Sequence, residues 1–210
     1  MGFEINTFII GPIENNTYLL FDSISGEAVL IDPAAPSHEI QKHLISNGLR
    51  LKQIWITHAH FDHIGGVHWF VEQSQGPLPV FIHPDALPLW AGAGGARDFG
   101  FDFDPGAAPQ DLVRDGDLLS FGASSFTVLH TPGHTPGHVT YYCADENAAF
   151  CGDLIFYHGV GRTDLPGGDE SILVKSISKK IFTLPDHTRL FPGHGRATTV
   201  EEEKLNNPFL

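Results

Sequence analysis

Cysteine is scarce: Cys143 and Cys151 are the only two in 210 residues. Two cysteines make no disulfide framework, and no Cys-x-x-Cys spacing exists. Each stands in an apolar run and reads as a small buried hydrophobe on a strand. Basic residues are few, 12 Lys and Arg against 25 Asp and Glu, for a formal net charge of −13. A polyanion-binding surface needs clustered cations, so nucleic acid is not an expected partner. No apolar run approaches the roughly 18 residues of a membrane span. The start, Met1-Gly2-Phe3-Glu4, has neither a basic leader nor a long apolar segment, and Asn6 stands where myristoylation asks for Ser or Thr. These absences set the expectation of a cytoplasmic protein with no membrane partner.

What is present supports a packed domain. Hydrophobic residues make up 41% and charged residues 18%, a balance that builds a core without disulfides. The length fits one domain, taken as residues 1–210. Strand patterns run over Phe3 to Ile10, Thr17 to Phe21, Ala28 to Ile31 and Leu51 to Ile56, then Val80 to Ile82, Leu118 to Phe121 and Phe126 to His130. Val139 to Cys143, Ala148 to Cys151 and Leu190-Phe191 complete them. Ser37 reads as the N-cap of a helix carrying Ile40, Leu44 and Ile45 and stopped by Gly48. Helices are also expected over Val67 to Gln73, over 169–184 and after Thr198 or Thr199. Residues 91–109, Gly- and Pro-rich with Phe99, Phe101 and Phe103 interleaved, read as a long irregular loop, either functional or a mobile excursion. The natural layering is a mixed sheet packed on another, with helices outside.

The densest chemistry lies at Thr57 to Gly66, directly after the apolar Ile54-Trp55-Ile56. His58, His60, Asp62 and His63 place four potential metal ligands within six positions. In an extended segment residues two apart share a face, so His58 and His60 point together, and Asp62 joins them if extension persists. Gly65-Gly66 permits close backbone approach before the next helix. Three further polar residues stand at strand ends beside glycine: His134 in TPGHTPG, Asp153 after Cys151-Gly152, and His194 in PGHG. Together these are seven ligands, the number two metals sharing a carboxylate require.

THAHFDH resembles the HxHxDH motif of the metallo-β-lactamase superfamily, and TPGHTPG, Gly152-Asp153 and PGHG resemble its later metal motifs, in order. The likeness runs from Asn16 almost to the end of the chain. It implies an α+β fold, a four-layer αββα sandwich of two mixed sheets with outer helices and the metals at one edge. It also implies that His58, His60 and His134 hold one divalent cation, that Asp62, His63 and His194 hold a second, and that Asp153 bridges them. Zinc is the first choice of metal, with iron or manganese as alternatives. Two such ions hold a water and lower its pKa from about 15.7 toward 7, and the resulting hydroxide attacks the substrate. Asp62 and Asp153 are the expected catalytic carboxylates, fixing its geometry.

The substrate rests on thinner signals. Gly161-Arg162-Thr163-Asp164 resembles the GRTD stretch of short bacterial hydrolases similar to glyoxalase II, and persulfide dioxygenases carry a similar stretch. Longer glyoxalase II proteins have a basic residue at the place of Arg162 that contacts glutathione, with Tyr two residues on; here Asp164 takes that place. Arg162 is therefore a candidate substrate-binding residue for a carboxylate, or else pairs internally with Asp164 or Asp169. The ending at Leu210 looks like that of the short group, without an added C-terminal helical domain. A thiolate, with a parent thiol pKa of about 8.5, leaves without a general acid. The expected activity is hydrolysis of a thioester such as S-lactoylglutathione, a small-molecule substrate. The alternatives are a persulfide dioxygenase with one iron on His58, His134 and Asp153, and a lactonase or other hydrolase of the same fold. A β-lactamase is less expected, because its second site usually includes Cys.

Overall fold

The structure, a computed structural model, describes residues 2–210. The chain opens with three strands, β1 (Glu4–Ile10), β2 (Asn15–Phe21) and β3 (Glu27–Ile31), followed by helix α1 (His38–Ser46) and β4 (Arg50–Trp55). A one-turn helix α2 (Phe61–Ile64) precedes α3 (Val67–Gln73), β5 (Val80–Ile82), α4 (Leu87–Ala91) and β6 (Asp111–Leu112). The second half begins with β7 (Leu118–Phe121), β8 (Ser124–His130), β9 (Val139–Cys143) and β10 (Ala148–Gly152). A small hairpin, β11 (Ile155–Phe156) and β12 (Gly159–Val160), leads to α5 (Glu170–Ser176), β13 (Arg189–Pro192), β14 (Thr198–Thr199) and α6 (Val200–Asn206).

Two six-stranded mixed sheets result, ordered β1-β2-β3-β4-β5-β6 and β14-β13-β10-β9-β8-β7. In the first, β1 to β3 are antiparallel and β3 to β6 parallel. In the second, β7 to β10 are antiparallel, β10 and β13 parallel, and β13 and β14 antiparallel.

Strands β2, β3 and β10 are covered on both faces, which is why they read as largely apolar runs rather than alternating ones. On β2, Tyr18 and Leu20 face the second sheet, while Leu19 and Phe21 face the helices. The layer between the sheets centres on Trp55, buried among Phe126, Tyr141 and Phe121, with centroid separations of 4.9, 5.1 and 6.1 Å. Outside the first sheet, Ile40 and Leu44 of α1 and Val67 and Phe70 of α3 pack on Leu30 and Ile54. Outside the second, Leu173 of α5, Ile177, Ile181 and Val200 pack on Ala149, Cys151 and Leu190. These are the four layers αββα.

Ser37 caps α1 by accepting from the Ile40 N–H, Asp169 caps α5 through Ile172 N–H, and Thr199 caps α6 through Glu202 N–H. Several expectations need correction. Ile45 is 75% exposed and does not contribute to the core. The helix expected over 169–184 is regular only to Ser176, and Ile177–Ile181 widens into a π-helical turn. The 91–109 stretch is not wholly irregular: Ala93–Phe99 forms tight helical turns around left-handed Gly94 and Gly95. Gly94 has no room for a side chain, since a Cβ there would lie 2.3 Å from the Phe61 nitrogen, so this segment is pinned against α2.

Candidate metal centre

The two sheets are stitched together at one edge. Val139 N–H donates to the Thr57 carbonyl, Tyr141 Oη to Ile56 and Tyr18 Oη to Pro192, at 2.8, 2.9 and 2.6 Å. At this edge β3, β4, β8, β10 and β13 all end, and each end delivers one part of the site. Asp32 follows β3, Thr57 to His63 follow β4, His134 follows β8, Asp153 follows β10 and His194 follows β13.

The 57–66 stretch does not stay extended, as one reading of its spacing required. It turns into α2 at Phe61, with His60 in extended geometry just before it. The turn swings Asp62 and His63 away from the first pair and toward β13. Two donor groups therefore form from one loop. His58, His60 and His134 converge as one cluster; Asp62, His63 and His194 converge as another; and His58, His63 and Asp153 link them.

Hydrogen bonds fix which nitrogen of each ring points inward. The Nδ1–H of His134 donates to the Arg162 carbonyl at 2.7 Å, leaving Nε2 as a lone pair. That Nε2 lies 2.9 Å from His60 Nδ1 and 3.2 Å from His58 Nε2. His58 has its Nδ1 3.1 Å from the Thr57 hydroxyl, so its Nε2 also faces inward. On the other side, His194 Nε2 lies 3.1 Å from Asp62 Oδ2, and His63 Nε2 lies 3.3 Å from Asp153 Oδ1. Asp153 Oδ2 is 3.7 Å from both His134 Nε2 and His194 Nε2.

The electrostatics follow from burial. Burial first, then the neighbouring imidazoles, holds His58 well below the ordinary value, His60 at about 3, and His134 low despite Asp153. These rings are neutral and their lone pairs free. Burial alone would lower His63, but Asp62, Asp153 and Asp32 together raise it. Burial would raise Asp153, but His63 and the other imidazoles hold its carboxyl well below the carboxylate range.

This donor set fits divalent cations. Inward-facing imidazole nitrogens 2.9–3.2 Å apart repel one another unless a positive centre lies between them. That spacing is close to the edge of a tetrahedron with metal–nitrogen bonds of about 2.0–2.1 Å. Asp153 Oδ1, moreover, is buried and accepts no hydrogen bond. Gly193 leaves the space: a Cβ there would lie 2.2 Å from Asp153 Oδ1 and 2.7 Å from the His63 ring.

Three contributors, Asp32, Asn15 and His138, were not singled out in the sequence. Asp32, held at φ 49°, accepts from Thr57 N–H at 2.8 Å, from the Thr57 hydroxyl at 2.6 Å and from His63 Nδ1–H at 2.8 Å. It stands directly after β3, at a strand end like the candidate ligands. Asn15 places its amide nitrogen 2.8 Å from His63 Nε2. His138 stacks behind His58 at 5.2 Å and 27°, with Nδ1 2.9 Å from Thr131 Oγ1. The tetrapeptide TPGH occurs twice, at 131–134 and 135–138, and that repeat was the available signal. Phe99 of the 91–109 segment tilts onto Phe61 at 5.4 Å.

A cavity of about 360 Å³ opens on the centre. Its walls beyond the ligands are Ile13, Phe61, Phe99, Phe156, Val160, Leu165 and Arg162. Arg162 is not free: its Nε and Nη2 donate to the two carboxylate oxygens of Asp164 at 2.7 and 2.8 Å. Asp169 caps α5 instead. His158, with φ 54°, sits 2.7 Å from Glu202 at the outer surface. A separate trio, His83, Asp85 and His130, also clusters, but its two imidazoles lie parallel at 4.1 Å and 8°, so their lone pairs run side by side instead of converging.

Comparison with known proteins agrees with this architecture. The family model of the metallo-β-lactamase superfamily matches residues 10–194. The probable metallo-hydrolase YqgX of Bacillus subtilis is 37% identical, over 96% of this chain and 94% of that one. Hydroxyacylglutathione hydrolase GloC of Haemophilus influenzae is 33% identical, over 99% and 98%. The mitochondrial persulfide dioxygenase ETHE1 of Bos taurus is 37% identical, over 92% of this chain and 70% of that one. Among crystal structures, the BLEG-1 B3 metallo-β-lactamase superposes with a TM-score of 0.92 at 37% identity, covering 99% of both chains. TTHA1623, in a di-iron-bound form, superposes at 0.88 with 41% identity, covering 98% of this chain and all of that one. The chain thus belongs to the metallo-β-lactamase superfamily.

Proposed function

We propose that this protein is a dinuclear metallohydrolase that cleaves a thioester, with S-lactoylglutathione as the reference substrate and zinc as the first metal to test. The observation carrying the proposal is the completeness of the second donor set. Asp62, His63 and His194 converge beside the three-histidine cluster, with the unpartnered Oδ1 of Asp153 between them. His58, His60 and His134 would hold one cation, Asp62, His63 and His194 the other, and Asp153 both. When bound, the metals supply a water acidified toward neutral pKa and a Lewis-acidic hold on the carbonyl oxygen.

The residues of the chain do the rest. Asp62 and Asp153 orient the attacking water by accepting its proton-bearing edge. Phe61, Phe99 and Phe156 cover the cavity beside the ligands and exclude bulk water, which strengthens each charge interaction inside. A C–O bond forms as the C–S bond breaks, giving a carboxylate and a thiolate. The thiolate takes up a proton at neutral pH, so no general acid is required. The test is thiol release from S-lactoylglutathione by metal-loaded protein. Release no greater than that of a His58→Ala control would sink the reading.

The second reading is a persulfide dioxygenase with one iron on His58, His134 and Asp153. Its support is the ETHE1 relative and the closeness of those donors, 3.2 Å between the two imidazoles and 3.7 Å from His134 to Asp153. His194 and Asp62, 3.1 Å apart in the same centre, favour the hydrolase, because a single iron leaves them without a role. A lactam and a lactone belong in the same assay panel, given the lactamase likeness. We place the activity in the cytoplasm; none of the described helices is long and apolar enough to cross a membrane.

A further inference from the structure

Among the described residues lining the cavity, Arg162 is the only Lys or Arg. A cation at the mouth of a metal centre ordinarily recruits a substrate carboxylate by two parallel hydrogen bonds. Here one of the two donor faces of the guanidinium is already taken. Nε donates to Asp164 Oδ1 at 2.7 Å and Nη2 to Oδ2 at 2.8 Å, across one intervening residue. The backbone at this point is fixed independently, because the Arg162 carbonyl accepts from His134 Nδ1–H at 2.7 Å. The pair is about half exposed, with side-chain exposures of 52% and 68%, so a ligand can reach it. The remaining lining is apolar: Ile13, Phe99, Phe156, Val160 and Leu165. A chain of net charge −13 adds no long-range attraction for an anion.

We propose that Asp164 is a specificity-determining residue. It occupies the Nε/Nη2 face of Arg162 and balances its charge, so the site favours thioesters whose flanking groups are uncharged and apolar over those carried on a carboxylate-bearing thiol. The inference rests on the thioester reading and narrows it. A substrate carboxylate gains little at Arg162, since it either displaces Asp164 from the Nε/Nη2 face or meets, at the other end of the guanidinium, a charge that Asp164 already balances. An uncharged acyl or thiol group loses nothing there and gains apolar contact with the cavity wall. Hydrolysis itself is as written above, water plus thioester giving acid plus thiol, and Asp164 takes no part in it.

The experiment pairs two thioesters with the same acyl group, one on N-acetylcysteamine and one on glutathione, and compares wild type, Asp164→Asn, Arg162→Gln and Asp164→Asn/Arg162→Gln. Wild type is expected to have the higher kcat/KM on the neutral thioester. Asp164→Asn should shift the ratio of the two kcat/KM values toward the glutathione thioester by about fivefold, the size of an exposed charge pair. The shift should come through KM, and the second substitution should erase it. An unchanged ratio, or a wild type that prefers the glutathione thioester and loses that preference in Arg162→Gln, would overturn the proposal. Calorimetric binding of S-hexylglutathione, which is not turned over, asks the same question without catalysis. Asp164→Asn should tighten it about fivefold only while Arg162 is present, and an unaltered Kd overturns the inference. If neither thioester is cleaved but the calorimetric shift appears, the thioester reading fails and the role of Asp164 stands.

Discussion

Asp32 and His63 share a 2.8 Å hydrogen bond across the edge of the first sheet, from Nδ1–H to Oδ2. Both groups are buried, and the same carboxylate also accepts the Thr57 hydroxyl and N–H. One side chain at the end of β3 thus fixes the ring of a candidate ligand and the backbone that delivers His58. A carboxylate behind a histidine ligand sets its tautomer and raises its basicity.

Asp32→Asn should therefore keep the fold and weaken the metal centre. The expected loss is about 10–100-fold in metal affinity, larger for the ion on His63 than for the one on the three histidines. Competition with a chromophoric chelator measures it. Equal weakening of both ions would point to a general loosening of the edge.

Gly193→Ala tests the space at the centre directly. A Cβ at this position would meet Asp153 Oδ1 at 2.2 Å and His63 Cε1 at 2.7 Å. The variant should fold, since β13 continues through Pro192, but should lose the metal that Asp153 shares, seen as a reduced metal-to-protein ratio by elemental analysis. Full occupancy in this variant would contradict the proposed bridging role of Asp153.

Glu203 is buried completely. It accepts from Thr198 Oγ1 at 2.6 Å, from Asn207 Nδ2 at 2.7 Å and from His158 N–H at 3.0 Å. It ties α6 to the β11–β12 hairpin, whose Phe156 and Val160 wall the cavity. Glu203→Ala should cost about 3 kcal/mol by leaving three donors without an acceptor, read from urea unfolding, and should raise KM for an apolar thioester.

The pH dependence has a contribution outside the metal centre. Burial, followed by the stacked His130, lowers His83 from the ordinary 6.5 to about 4. In the unfolded chain this ring takes up a proton near pH 6.5, while in the fold it resists until about pH 4. Its contribution to stability is thus full above pH 6.5 and is lost as pH falls through that window to about 4. Chemical unfolding of wild type and His83→Phe from pH 7.5 to 4 should show a shallower loss in the variant.

Much of the fold was legible because burial on both faces leaves β2, β3 and β10 as largely apolar runs broken by turn residues. Ser37 and Gly48 marked α1 equally plainly. The seven donors stood out because four crowd the end of one strand and the other three each follow a strand beside glycine. What escaped depended on three-dimensional return. Asp32 carried no local signal, since its partners Thr57 and His63 lie 25 and 31 positions away. His138 had no chemistry until the stack behind His58 appeared. Whether Asp62 shares the face of His58 and His60 was left to the extent of the extended segment, because nothing local announces the one-turn α2. Arg162 was open between substrate and internal pairing, and only the side-chain geometry distinguishes the two. The 91–109 segment was seen as a loop, but its docking on Phe61 depends on Gly94, whose close approach no pattern encodes.

The most direct test of the central claim is elemental analysis of the purified native protein, read together with thiol release and oxygen uptake on the same sample. Two divalent ions per chain, with thiol released from a thioester and no oxygen consumed, is the predicted result. One iron per chain, with oxygen uptake on glutathione persulfide and no thioester cleavage, would contradict it.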